Sequence, residues 1–157
     1  MNIAQLILSA ILAIFPYMSG NNRACIVERQ ERIVQHATEG RTNHNVPELV
    51  MMAVGFSETH LGCDINEGGN WGAPISRHQR HTAGTPGHAA AALRRSYEVC
   101  GNWSGAISRF RCGLCSCGGA TASYTPRVIG LMRTISARSG VPMPENMGNP
   151  NRLTARR

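Results

Sequence analysis

The sequence predicts an all-α domain of about five helices, stapled by disulfides. Apolar residues recur at three- and four-residue intervals in several segments, cap and stop residues bracket those segments, and no stretch alternates apolar with polar residues over a strand length. The length of 157 residues and the lack of internal repeats fit one domain with a modest core.

The first segment, residues 3–18 (IAQLILSAILAIFPYM), carries no charge. It is shorter than the roughly 20 residues of a membrane span and fits the apolar centre of a signal peptide, so residues 1–20 are expected to be a signal peptide or N-terminal membrane anchor. No basic residue precedes it and MSG at 18–20 is a poor cleavage site, which keeps an uncleaved anchor and an ordinary buried first helix as alternatives.

Asn21 and Asn22 can cap a helix running to about Ala37, with Ile26, Ile33, Val34 and Ala37 on one face and Gly40 as its stop. Asn45 then reads as a cap, with Pro47 in the first turn and Glu48 three residues on. That helix should run to about His60, where Gly62 stops it. Leu49, Val50, Met52, Ala53, Val54 and Phe56 cover most of its circumference, as a central buried helix requires. Residues 62–87, rich in Gly, His, Asn and Pro, form a long irregular connection in which substrate contacts are expected. Thr85 and Pro86 open a helix ending at Gly101, Ser104 begins a short one through Phe110, and Thr125 and Pro126 begin one ending near Gly140. The folded domain is thus residues 21–140, and 141–157 reads as a flexible basic tail.

The formal charge is +7 and all sixteen basic residues are arginine, which favours anionic polymers such as cell-wall glycan with teichoic acid, or nucleic acid. GC-rich codon usage explains the lack of lysine more simply than selection for arginine does. Nucleic acid is not expected as a partner, because no arginine run alternates with aromatics. Cys25, Cys63, Cys100, Cys112, Cys115 and Cys117 read as disulfide partners in an exported chain, with 15 possible pairings. The alternative for Cys112, Cys115 and Cys117 is half a zinc site, but a second ligand pair at the right spacing is missing. The spacing of His60, His78, His81 and His88 does not suggest a metal site either, and His78 and His81 beside Arg77 and Arg80 read as a cationic loop. No metal or cofactor is expected.

Acidic residues number nine. A glycosidic oxygen is a poor leaving group until protonated, so glycan cleavage needs a carboxylic acid in an apolar setting that keeps its proton near working pH. Glu58, preceded by MMAVGF at the end of the most apolar helix and followed by the open connection, has that setting. The alternative from position alone is a solvated helix-end glutamate. Trp71 and Trp103 could stack on sugar faces, Trp71 being favoured because it lies in the loop, whereas Trp103 also reads as core.

AVGFSETHLG, GGNWGAPIS, WSGAISRFRCG and YTPRVIGLM, in that order, give the chain from about residue 46 to 133 a pattern that resembles the soluble lytic transglycosylases and goose-type lysozymes, and specifically their small exported members associated with secretion and conjugation systems. The likeness rests on four segments in order. AVGFSETHLG places Glu58 and Thr59 where the family has a catalytic Glu followed by a hydroxyl residue. GGNWGAPIS occupies the slot of a loop similar to GxxGLMQ: Gly72 fits, while Ile75 and Ser76 stand where the family has Gln. WSGAISRFRCG matches a pattern similar to W-x-x-A-V-x-x-Y-N-A-G through Trp103, Ala106, Ile107, Phe110 and Gly113, with Arg111 and Cys112 in place of Asn and Ala. In YTPRVIGLM, Tyr124 stands where the family has a Tyr opening the final helix.

The resemblance implies a small lysozyme-like domain acting on peptidoglycan, monomeric and exported to the periplasm or the inner membrane, in a secretion, conjugation or phage setting. It implies that Glu58 is the catalytic acid and base, that Tyr124 directs its hydroxyl at it, and that Thr59, Trp71, Gly72, Phe110 and Arg111 lie at substrate-contact positions. The implied reaction is cleavage of the bond from N-acetylmuramic acid to N-acetylglucosamine with a 1,6-anhydro product. One carboxylate suffices for that. Lysozyme-type hydrolysis would usually need a second, for which Asp64 and Glu67 are the nearby choices, although each reads better as a solvated loop residue or helix-stop partner. A binding module that recognises wall glycan without cleaving it is the competing class.

Overall fold

The computed structural model describes residues 1–64, 69–72 and 84–148. Among them are seven α-helices and no strand, so the fold is all-α. Glu67, Ile75, Ser76, Arg77, His78, Arg80 and His81 lie outside the described residues.

Helix α1 (Ile3–Ile14) starts on a capping box in which the Asn2 side chain accepts the Gln5 N–H and the Gln5 side chain accepts the Asn2 N–H. It buries Ala4, Ile7, Leu8, Ala10 and Ile11, the i, i+3, i+4, i+7 stripe of an amphipathic helix, against α3, α4 and α7. The apolar segment is therefore packed as a first core helix of the same domain. No helix among the described residues is long and apolar enough to cross a membrane.

The single helix expected from residue 21 is two, α2 (Gly20–Glu28) and α3 (Gln30–His44), broken at Arg29. The break lets Cys25 on α2 meet Cys63 while the Arg29 guanidinium lies 3.5 Å from the Gly62 carbonyl. Gly40 does not stop α3 but sits inside it. A Cβ there would stand 3.3 Å from Met51 Sδ, so the glycine lets α3 approach α4 closely. The stop is Asn45, left-handed at φ 53°, where an N-cap for the next helix was expected.

Helix α4 (Glu48–Thr59) is buried continuously from Leu49 to Phe56 and touches α1, α3, α5 and α7. Its Leu, Val, Met and Phe side chains each contribute about 1.5–3 kcal/mol by leaving water, which fixes this helix as the axis of the core. Around it lie α5 (Pro86–Cys100), α6 (Trp103–Cys112), capped by the Asn102 side chain on the Gly105 N–H at 2.7 Å, and α7 (Tyr124–Ser139). Trp103 is core, its ring 4.3 Å from that of Tyr97.

The segment 141–148 is not a free tail. The N–H groups of Trp103 and Ser104, unsatisfied within the first turn of α6, donate to the carbonyls of Asn146 and Met147 at 2.9 Å each, and Val141 is buried. Residues 149–157 lie outside the described residues.

All six cysteines are bridged, as Cys25–Cys63, Cys100–Cys115 and Cys112–Cys117, so no thiolate is left for the zinc half-site. The last two bridges tie the ends of α5 and α6 to the short segment leading to α7.

Candidate active site

Helix α4 ends in a turn of unusual backbone. His60, Leu61 and Gly62 take φ of 49°, 57° and 82° in succession. The left-handed region costs a non-glycine residue about 1–2 kcal/mol, so this turn holds only because its surroundings impose it. Leu61 is buried, the Gly62 N–H donates to Thr59 Oγ1 at 2.9 Å, and Cys63 is bridged to α2. Asp64 closes the turn, its Oδ1 2.7 Å from His60 Nδ1 and 3.1 Å from Asn22 Nδ2.

Residues 69–72 then cross the last turn of α4 on the face shared by Gly55, Glu58 and Thr59, three and four residues apart. Thr59 Oγ1 donates to the Asn70 carbonyl at 2.5 Å. Trp71 lies on Gly55, where a Cβ would come within 2.8 Å of its ring. Gly72, at φ +77°, lies against Glu58, and a Cβ there would stand 2.8 Å from Glu58 Cγ. Both glycines are required by close approach.

Glu58 is held between two helices. Tyr124, the first residue of α7, donates its hydroxyl to Glu58 Oε1 at 2.7 Å, and Arg111 Nη1 on α6 lies 3.3 Å from Oε2. The Glu58 side chain is 13% exposed and that of Arg111 46%, so the carboxylate is recessed while the guanidinium faces solvent. Burial, then the Glu58 charge and hydrogen bond, push the Tyr124 phenol far above its ordinary value, so the hydroxyl keeps its proton and acts as donor. The guanidinium carbons of Arg111 and Arg127 lie 5.3 and 5.9 Å from the Tyr124 ring centroid. A buried bond of 2.6 Å between Ser108 Oγ and Thr125 Oγ1 fixes α6 against α7 beside them.

Glu58, Tyr124, Gly72 and Arg111 are thus brought together. Phe110 and Thr59 are adjacent but buried, Phe110 as core behind Arg111 and Thr59 as a clasp whose hydroxyl serves the backbone. Trp71 corrects the expectation of a sugar-stacking surface: at 1% exposure, wedged between Gly55 and an edge-on His36, it offers no face to a ligand. Two participants are not evident from the sequence. Arg127 reaches the Tyr124 ring from one helical turn along, a spacing that could have signalled it. Asn70 contributes only its carbonyl, which leaves no trace in residue type.

The fold and site define a class: an all-α, disulfide-stapled domain with one recessed carboxylate, at the end of its central helix, held by a phenol and a guanidinium. The chain matches no protein-family model, no curated protein and no solved structure.

Proposed function

We propose that the chain is a peptidoglycan lytic transglycosylase with Glu58 as its single acid and base. The observation that carries this reading is the hydrogen bond from Tyr124 to a recessed Glu58 at the rim of the 69–72 crossing. The contact joins residues 66 positions apart that the resemblance assigns to one site.

In the proposed reaction Glu58 gives its proton to the oxygen linking N-acetylmuramic acid C1 to N-acetylglucosamine. As that bond breaks, the Glu58 carboxylate takes the proton of the muramyl 6-hydroxyl, whose oxygen bonds to C1 and closes the 1,6-anhydro ring. The Tyr124 hydroxyl holds the carboxyl through both steps. Asp64 is a poor second carboxylate for a hydrolase because His60 and Asn22 already engage its oxygen. Three disulfides fit export to an oxidising compartment, periplasmic or extracellular.

The test is incubation of the purified protein with peptidoglycan sacculi and mass analysis of the released muropeptides. Products ending in anhydromuramic acid support the proposal. Reducing-end products would make the protein a hydrolase, and co-sedimentation without release a binding module.

A further inference from the structure

Glu58 is paired in a way that its proposed chemistry does not allow to persist. A general acid must present a proton to the substrate, whereas Arg111 contacts Glu58 Oε2 as an ion pair, and a guanidinium has no site to accept a proton. The pair is also easy to exchange. It is a single contact of 3.3 Å, not a two-pronged one, and its guanidinium is 46% exposed, so an anion from solvent can reach it.

Arg111 does not stand alone. Arg127 lies over the same Tyr124 ring and makes no ion pair with any described residue. Between residues 99 and 144 the chain has five arginines, 109, 111, 127, 133 and 138, and no Asp or Glu. Of these, Arg111 and Arg127 reach Tyr124 beside Glu58, so the side of the site that they form is cationic, with Glu58, from α4, as the carboxylate that reaches it. His60, in the turn just past α4, is already occupied by Asp64.

We infer that Arg111 and Arg127 form a carboxylate-binding pair, so that the glycan taken is an anionic one whose own carboxylate replaces Glu58 on Arg111. The Glu58 carboxylate marks the ligand chemistry: a carboxylate oxygen on Arg111, with Arg127, at the same Tyr124 ring, as a second cation for the anionic strand. Substrate binding then releases Glu58 to Tyr124 alone. Peptidoglycan supplies suitable groups in the muramyl lactyl carboxylate, free where the stem peptide has been removed, and in the carboxylates of the stem itself. A polymer of N-acetylglucosamine supplies none.

This inference rests on the glycan-cleaving reading, and its test separates the two. Three strands are compared: peptide-free strands with lactyl carboxylates, the same strands with those groups converted to neutral methylamides, and peptide-bearing strands. Affinity is measured for wild type, Glu58→Gln, Arg111→Gln and Arg127→Gln, and anhydro-product release for wild type and the two arginine variants. Wild type should bind and cleave carboxylated strands at least about tenfold better than the neutral ones, and either arginine variant should lose that preference. Glu58→Gln, which frees Arg111, should bind carboxylated strands more tightly than wild type and neutral strands equally. A preference confined to peptide-free strands assigns the carboxylate to the lactyl group, and one confined to peptide-bearing strands assigns it to the stem. Equal affinity of wild type and Glu58→Gln for charged and neutral strands would overturn the inference even if cleavage occurs. Preferential binding without any cleavage would sustain the arginine pair while defeating the transglycosylase reading.

Discussion

Removal of the Cys25–Cys63 bridge should destabilise the domain more than removal of either other disulfide. The bridge closes a loop of sequence separation 38, against 15 for Cys100–Cys115 and 5 for Cys112–Cys117. Taken singly, the chain entropy withheld from the unfolded state corresponds to about 4, 3 and 2 kcal/mol at 25 °C. For a domain of this size about 4 kcal/mol lowers the melting temperature by roughly 8–16 °C. The first loop overlaps neither of the others, so its effect is not shared. It also anchors the left-handed turn that follows Glu58, so its loss should lower peptidoglycan cleavage as well as stability. The assay is urea and thermal unfolding, followed by circular dichroism without reductant, for the three paired Cys→Ser variants, with cleavage measured at a temperature where all are folded. A Cys25→Ser/Cys63→Ser variant that melts with wild type, or above the Cys112→Ser/Cys117→Ser variant, would refute the reasoning.

Three further outcomes follow from the site. Tyr124→Phe keeps the buried ring but removes the 2.7 Å bond to Glu58, a hydrogen bond to a charged group worth about 1.5–3 kcal/mol, so the melting temperature should fall by roughly 3–12 °C and kcat, measured where both proteins are folded, by roughly 10- to 150-fold; wild-type turnover would remove Tyr124 from the site. Gly72→Ala sets a Cβ 2.8 Å from Glu58 Cγ at φ +77°, which should cost about 1–2 kcal/mol in stability and, by displacing the carboxylate, about a hundredfold in activity; an alanine variant with normal kinetics would show that the crossing does not position Glu58. His36 is held below its ordinary value of 6.5, chiefly by burial against Trp71 and further by Arg32 and Arg29, with Glu39 opposing. Below pH 6.5 the unfolded chain then binds a proton that folded His36 resists, so stability falls with pH until the folded group also titrates. His36→Gln should flatten that slope in urea unfolding between pH 7 and 5, and identical slopes would contradict the assignment.

The central helix and its terminal carboxylate are readable from the sequence because an all-round apolar segment ending in Glu has few other places to go. Less readable are features set by contacts between distant segments. The helix expected from residue 21 breaks at Arg29, where Cys25 and the Arg29 guanidinium both meet the turn after α4. Gly40 reads locally as a stop, yet close packing against Met51 keeps it inside α3. Trp71 reads as a loop aromatic available to sugar, and only the glycine at 55 hints at a ring packed on α4. Residues 141–148 carry no helical periodicity, but they satisfy the first turn of α6, a demand invisible in their own composition. Arg111 could be placed by spacing, but its ion pair with Glu58 joins residues 53 positions apart and depends on how α6 is set against α7.

In the proposed reaction Glu58 is the one group that moves the proton. Muropeptide release from sacculi by Glu58→Gln, compared with wild type under identical conditions, tests that claim most directly. The amide cannot give up a proton as a carboxylic acid does, yet it nearly preserves the size of the side chain and can still accept the Tyr124 hydrogen bond. Anhydro products formed by wild type and absent from a folded Glu58→Gln protein are predicted. Anhydro products released at similar rates by both proteins would contradict it.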